Sequence, residues 1–144
     1  MDLAKFVNNS PVITLGTTTV LEGVKMLHHR QLSAVLIIGS DQRLEGIFTE
    51  RDNMLRVTLA ERDARTTLLS TVMTTPVITA RSTTTVDDAL MMMVRHHFLH
   101  LPIVDENHIV KGMVNGRDLL LRRIGEKEAA IQTLNAYVKA GGPG

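Results

Sequence analysis

The 144-residue sequence has no cysteine and no tryptophan, and it has only three phenylalanines and one tyrosine. The absence of cysteine excludes disulfide bonds, thiolate catalysis and cysteine-based metal sites. So few aromatic residues, together with a net charge of +1, argue against a nucleic-acid-binding surface. Apolar residues make up 44% of the chain, so the core must be built from aliphatic side chains and the eight methionines.

Long hydrophobic runs are also missing. The longest unbroken apolar runs are Ala34–Ile38 and Ala89–Val94, whereas a membrane-spanning helix needs about 20 residues. The first residues, Met1–Phe6, do not show the apolar stretch behind a basic start that is typical of a signal peptide. We therefore expect a cytoplasmic protein with neither a membrane nor a nucleic acid as partner.

No motif typical of an active site is present. A nucleophile–base pair, a P-loop and a dinucleotide-binding glycine fingerprint are all missing. The six histidines include the adjacent pairs His28–His29 and His96–His97, but neighbouring side chains on a helix point about 100° apart and do not easily chelate one ion. We therefore predict no enzymatic activity, no catalytic cofactor and no bound metal.

The sequence does contain an internal duplication. Pro11–Thr14 reads Pro-Val-Ile-Thr and recurs as Pro76–Thr79, and a cluster of threonines follows each copy. Such an ordered series of matches indicates two copies of one unit. The further equivalent pairs, in the same order along both copies, are Val20 and Val86, Met26 and Met92, Ile37 and Ile103, Gly46 and Gly112, Asp52 and Asp118, and Arg56 and Arg122.

Each copy predicts a strand, a helix capped by threonine, an apolar strand, a polar turn, a third strand and a second helix. One copy alone is too small to bury its apolar faces. The predicted fold class is therefore α/β (α+β), with two such repeats packed sheet to sheet around a pseudo-twofold axis. The predicted strands are Val12–Thr14, Ala34–Ile38 and Leu44–Phe48 in the first copy, and Val77–Thr79, Leu101–Val104 and Ile109–Val114 in the second.

These elements suggest the following boundaries. The first repeat covers residues 8–60 and the second residues 76–124, with a linker at 61–75 between them. A C-terminal helix is predicted for residues 125–140, and a disordered tail for residues 141–144.

Two segments at the end of the third strands carry a family resemblance. Gly46–Asp52 reads Gly-Ile-Phe-Thr-Glu-Arg-Asp, and Gly112–Asp118 reads Gly-Met-Val-Asn-Gly-Arg-Asp. The pattern resembles a tandem pair of CBS domains, named after cystathionine β-synthase, and the arrangement is similar to the stand-alone CBS-pair proteins of bacteria. The family has Ser or Thr where this chain has Asn115, and Leu36 stands where the second copy has Pro102.

The resemblance implies a regulatory module that binds an adenine nucleotide or an adenosyl compound, such as AMP, ADP, ATP or S-adenosylmethionine, in clefts between the repeats. Binding would then change how the module pairs with itself or with a regulated partner protein. The residues implied for one cleft are Asn115, Asp118 and Met113 with Ile13, Ser33 and Ala34, and those for the other are Thr49, Asp52 and Ile47 with Ile78, Leu99 and His100.

The motif residues have two physical interpretations. A carboxylate such as that of Asp52 or Asp118 accepts two hydrogen bonds from adjacent ribose hydroxyls, and a strand-to-helix junction offers free N–H groups to a phosphate. Both aspartates could instead be first-turn acids that interact favourably with the helix dipole. A structural homodimerisation module without a ligand is therefore the alternative function.

The sequence predicts a homodimer. Residues 91–94 and the helices after Asp52 and Asp118 would leave an apolar surface for which the chain offers no further covering element. Light scattering at micromolar concentration should give about twice the 15.9 kDa of one chain. A monomer mass would contradict this prediction.

Overall fold

The computed structural model describes residues 3–8, 11–126, 134, 137 and 138. These residues form two compact units. The first unit comprises residues 11–78 and 104–110, and the second unit comprises residues 3–8, 79–103 and 111–126 with Leu134, Tyr137 and Val138. Those last three residues are helical, and Leu134 and Tyr137 line a cavity of the second unit. The other residues from 127 onward, which include most of the predicted C-terminal helix and the predicted tail, lie outside the described residues.

A three-stranded sheet forms the centre of the first unit. Its strands are β1 (Ile13–Leu15), β2 (Ala34–Ile38) and β3 (Leu44–Thr49), in the order β1-β2-β3. β2 pairs parallel with β1 and antiparallel with β3. Residues 34–37 of β2 are fully buried, as expected for a central strand whose sequence is an unbroken apolar run.

Helical elements follow or flank this sheet. The helix α1 (Val20–Arg30) connects β1 to β2, and its first residues are capped by Thr19, whose hydroxyl accepts a hydrogen bond from the Glu22 N–H at 3.2 Å. After β3 the chain forms α2 (Glu50–Asp52), a π-helical segment (Asn53–Thr58) and then α3 (Leu69–Val72). The threonine cap predicted for the first helix is confirmed.

The second unit repeats the helix–strand–strand–helix order. It contains α4 (Val86–His96), capped by Thr85, and α5 (Gly116–Glu126). Between these helices lie β4 (His100–Val104) and β5 (Val110–Asn115), which pair as a two-stranded sheet and belong to this unit except for Val104 and Val110. A 3-10 helix (Leu3–Phe6) precedes them in the chain. Within the described part of the chain, no helix is both long and apolar enough to cross a membrane.

The strand predicted at Val77–Thr79 is wrong. In the first unit the Leu36 N–H donates to the Val12 carbonyl at 2.9 Å, which extends the parallel pairing of β1 with β2. The equivalent residue of β4 is Pro102, which has no N–H to donate. Only a single bridge remains, in which the Ala80 N–H donates to the Pro102 carbonyl at 3.0 Å.

Each third strand is paired with a short segment from outside its own repeat. In the first unit Thr74 and Ile47 exchange two backbone hydrogen bonds of 2.8 and 3.0 Å. In the second unit Asn8 and Met113 exchange an equivalent pair of the same lengths. The predicted linker at 61–75 therefore contributes to the first unit, where Leu69 and Val72 of α3 are buried in the core.

Gly112 leaves the space that the N-terminal segment needs. A Cβ atom on Gly112 would contact the Val7 side chain and would lie 2.7 Å from the Asn8 carbonyl oxygen. Because that oxygen belongs to the paired backbone, Gly112→Ala should cost about 1–3 kcal/mol of unfolding free energy, as overpacking typically does. Urea denaturation measures this loss.

Gly125→Ala is the matched control in the same unit. A Cβ atom on Gly125 would have nothing within 4 Å, and alanine is favoured over glycine in a helix by about 0.5–1 kcal/mol. Equal stabilities of the two variants would show that the N-terminal segment does not pack against Gly112.

Candidate functional site

The first motif forms a capping box where β3 passes into α2. The Asp52 N–H donates to the Thr49 hydroxyl oxygen at 3.3 Å, and the Thr49 N–H donates back to Oδ2 of Asp52 at 2.9 Å. The Thr49 hydroxyl also donates to Oδ2 at 3.2 Å. Asp52 is only 7% exposed, so one oxygen of a buried carboxylate is used to start the helix.

The second oxygen of Asp52 is held by residues that the sequence interpretation did not identify. The Thr74 hydroxyl donates to Oδ1 at 2.8 Å, and Nε of Arg56 lies 3.8 Å from the same atom. Nη1 of Arg56 also donates to the Met73 carbonyl at 2.8 Å. The carboxylate thus ties α2 to the segment before the second repeat. The repeated pair Arg56 and Arg122 was the available sequence signal for this role.

The second motif is arranged differently. Oδ1 of Asn115 accepts a hydrogen bond from the Arg117 N–H at 2.8 Å, so this side chain closes a local turn and does not form a capping box with Asp118. Asp118 is exposed, and its carboxylate makes no hydrogen bond or ion pair with any residue that the structure describes. Arg122, the equivalent of Arg56, lies over the ring of Phe6, with its guanidinium carbon 5.3 Å from the ring centroid.

Asp118 lines a groove of about 640 Å³ in the second unit. Lys5, Asn8 and Arg122 line the same groove, together with the ring of Phe6. Two cations beside one carboxylate suit a ligand that has both hydroxyl groups and negative charge. Lys5, Phe6, Asn8 and Arg122 were not predicted as site residues. The N-terminal segment carries no motif of its own, and Arg122 was matched only as the repeat equivalent of Arg56.

Strand pairing brings several predicted residues together in the first unit. Ala34 is the ladder partner of Thr49, and the Glu50 N–H donates to the Ser33 carbonyl at 3.3 Å. Ile47 is buried. Ile13 is 40% exposed and lines a separate groove of about 540 Å³, and Ile78 is 36% exposed and belongs to no strand.

The corresponding residues of the second unit lie around the start of α5. The Gly116 N–H donates to the Leu99 carbonyl at 2.7 Å, and Met113 is 5% exposed on β5. Burial lowers the pKa of His100 below its ordinary value of 6.5, because desolvation penalises the charged ring. The unfolded chain therefore takes up this proton more readily than the folded one, so the free energy of unfolding falls as the pH drops from the ordinary value towards the lowered pKa of His100.

The described residues contain no group of three or more histidine, aspartate and glutamate side chains placed to hold a metal ion. The predicted absence of a metal, like the predicted absence of enzymatic activity, stays a prediction.

A family model of the CBS domain matches residues 3–52 and 69–125. The chain therefore belongs to the CBS domain family, and the resemblance inferred from the two motifs is confirmed. The mixed α+β architecture with two tandem repeats is confirmed as well.

The CBS domain-containing protein YhcV of Bacillus subtilis is 30% identical over 117 residues, which cover 81% of each chain. The mitochondrial CBS domain-containing protein CBSX3 of Arabidopsis thaliana is 29% identical over 127 residues, which cover 85% of this chain but 61% of that protein. In two other curated relatives this chain matches only 17% of the length.

The CBS domain pair of protein MJ0100, solved in complex with methylthioadenosine and S-adenosylmethionine, has the same fold. Its TM-score is 0.79 at 24% identity, and the match covers 88% of this chain and 98% of that one.

The two motif aspartates should differ in their effect on stability. Asp52→Ala removes a buried carboxylate that accepts three hydrogen bonds, and each hydrogen bond to a charged group contributes about 1.5–3 kcal/mol. Asp118→Ala removes an exposed first-turn acid, which contributes less than about 1 kcal/mol. Chemical denaturation of both variants should therefore show a clear loss for Asp52 alone. If Asp52→Ala lowers the free energy of unfolding by as little as Asp118→Ala does, the hydrogen bonds of Asp52 do not stabilise the fold.

Proposed function

We propose that this chain is a ligand-sensing regulatory module that binds an adenine nucleotide or a related adenosyl compound at its second motif. The observation that carries the proposal is the exposed carboxylate of Asp118, which lines a groove at the start of α5 and which no residue described in the structure engages. Such a carboxylate is free to accept hydrogen bonds from both adjacent hydroxyls of a ribose. The adenosyl ligands of the MJ0100 pair support the same ligand class.

Charge in the groove favours a ligand with a phosphate. Lys5 and Arg122 line the same groove as Asp118, and the contact with Phe6 orients the guanidinium of Arg122. A phosphate attached to the ribose would be attracted by both cations, whereas the positive sulfonium of S-adenosylmethionine would not. Within the adenosyl class, we therefore favour AMP, ADP or ATP.

The other residues implied by the family resemblance keep the status of predicted contacts. They are Asn115, Met113, Ile13, Ser33 and Ala34 for the site at Asp118, and Ile47, Thr49, Asp52, Ile78, Leu99 and His100 for the other site, at the first motif.

Exposed apolar side chains support the proposed homodimer. Met91, Val94 and Leu121 on α4 and α5 are 49–58% exposed, and Met54 and Leu55 after α2 are 53% and 42% exposed. Apolar surface of this kind is typical of protein interfaces. A ligand that binds one arrangement of the dimer more tightly would shift the population toward it, and a regulated partner protein could respond to the shift.

The structural alternative is a dimerisation module without a ligand. It is favoured by Asp52, whose carboxylate is already bonded to Thr49 and Thr74. It does not account for Asp118, which stabilises no described part of the fold through a hydrogen bond or an ion pair.

Calorimetric titration with AMP tests the proposal. AMP should bind the wild type and raise its melting temperature, because a ligand of the folded state stabilises it. Asp118→Ala should lower the affinity for AMP at least about tenfold. The hydrogen bonds between the ribose and the charged carboxylate would be lost, and each is worth more than the roughly 1.4 kcal/mol that corresponds to a tenfold change in affinity. Asp88→Ala is the matched control, because Asp88 is a first-turn acid of α4 in the same unit.

The role of charge is tested with adenosine and S-adenosylmethionine. AMP should bind more tightly than either, and added salt should narrow the difference because the cations are near the surface. Unchanged AMP affinity in Asp118→Ala would refute the site. If no adenosyl compound binds or stabilises the wild type, the structural alternative is favoured.

A further inference from the structure

The carboxylate of Asp52 has almost no capacity left for a ligand. Oδ2 accepts the N–H and the hydroxyl of Thr49, and Oδ1 accepts the Thr74 hydroxyl with Arg56 3.8 Å away. A carboxylate has about four lone-pair positions, so three are used and the fourth faces a guanidinium. Two ribose hydroxyls need two positions. At least one existing contact must therefore be released before a ribose can bind Asp52.

Thr74 is the contact that a ribose would have to replace. The Thr49 bonds belong to the capping box of α2 and hold the helix start itself, while Arg56 lies at ion-pair distance. The Thr74 hydroxyl comes from a segment 22 residues further along the chain. Thr74 thus occupies, on Oδ1, the place of a ligand hydroxyl.

The position of Thr74 is fixed by its own backbone. It exchanges hydrogen bonds of 2.8 and 3.0 Å with Ile47, and Arg56 donates to the carbonyl of its neighbour Met73 at 2.8 Å. Asp52, Arg56, Met73 and Thr74 therefore form a closed ring of contacts. Within such a ring the hydroxyl remains beside the carboxylate as long as the segment is paired with β3.

The second repeat lacks this ring. Asn8 is paired with Met113 in the place that Thr74 takes beside Ile47, and no described residue donates to the Asp118 carboxylate. Arg122 contacts Phe6, whereas Arg56 pairs with its aspartate. The equivalent aspartates of the two motifs thus differ: the carboxylate of Asp52 accepts hydrogen bonds from the chain, whereas no described residue donates to that of Asp118.

We propose that Thr74 determines which repeat accepts a ligand: its hydroxyl excludes the ribose from Asp52, so that each chain binds one nucleotide, at Asp118. This inference rests on the proposed function for the identity of the ligand. It adds that the first repeat is closed by the chain's own segment, and that one hydroxyl group closes it.

Stoichiometry tests the inference, because a merely structural role of Thr74 would not change it. AMP titrated into the wild type should bind at one equivalent per chain, and Thr74→Ala should bind a second equivalent. Thr74→Ser keeps a hydroxyl and should stay at one. Thr71→Ala is the matched control, since Thr71 is an exposed threonine of the same segment and should also leave one equivalent.

Double variants assign the sites. Thr74→Ala with Asp118→Ala should retain one equivalent, at Asp52, and Thr74→Ala with Asp52→Ala should retain one, at Asp118. In the otherwise wild-type chain, Asp52→Ala should lower the melting temperature but leave AMP affinity and stoichiometry unchanged. Melting curves confirm that each variant is folded at the titration temperature. If Thr74→Ala is too unstable to titrate, comparing AMP binding by the wild type and by the single variant Asp52→Ala still tests the inference.

Two equivalents in the wild type, loss of AMP binding in Asp52→Ala, or one equivalent in folded Thr74→Ala would each overturn the inference. If the wild type binds no AMP, the proposed function fails separately. In that case, if Thr74→Ala binds one equivalent of AMP that is lost when Asp52 is also replaced by alanine, the role of Thr74 is still supported. If Thr74→Ala binds no AMP, that role is overturned as well.

Discussion

The pairing of a short outside segment with each third strand is the constraint on which much else in this structure depends. The third strand ends in the motif, and its register toward the following helix is held on one side by its hairpin partner and on the other by the segment. Thr74 holds Ile47 in the first unit, and Asn8 holds Met113 in the second. Leu69 and Leu3 in these segments are fully buried. Both segments lie close to a glycine of the third strand: a Cβ atom on Gly46 would contact the Met73 side chain, and one on Gly112 would contact the Asn8 carbonyl oxygen.

The same pairing gives the repeats different chemistry. A threonine at the paired position of the first unit donates to the nearby aspartate, and a threonine at the strand end completes the capping box. In the second unit asparagines occupy both positions, and Asn115 bonds to the next turn of its own chain. Thus the carboxylate of Asp52 is engaged within the fold, whereas no described residue donates to that of Asp118. A duplicated backbone can in this way place two equivalent carboxylates in different surroundings.

A second difference between the repeats has an equally local cause. Leu36 and Pro102 are equivalent positions on the central strand of each hairpin, but only leucine has an N–H group to extend the parallel pairing. In the part of the chain that the structure describes, the first unit therefore has three strands, and the second has two strands and the bridge at Ala80. Ile13 and Thr14 consequently lie in a strand, whereas the identical Ile78 and Thr79 do not.

Much of the fold could be predicted from the sequence because it depends on local interactions. The threonine caps at Thr19 and Thr85, the buried run of β2 and the repeat itself follow from side-chain hydrogen bonding within one turn and from periodicity. The strand at Val77–Thr79 could not be judged in this way, because strand formation depends on the partner's N–H groups as well as on the propensity of the segment.

The state of the two aspartates was decided only by tertiary structure. Both had the same two interpretations in the sequence, where the local difference was Asn115 in the place of Thr49. What separates them is a hydroxyl that reaches Asp52 from 22 residues away and an N-terminal segment that contributes Lys5 and Phe6 to the groove at Asp118. Such contacts form only once the strands have paired. Local periodicity and capping preferences do not predict which distant residue will contact a given side chain.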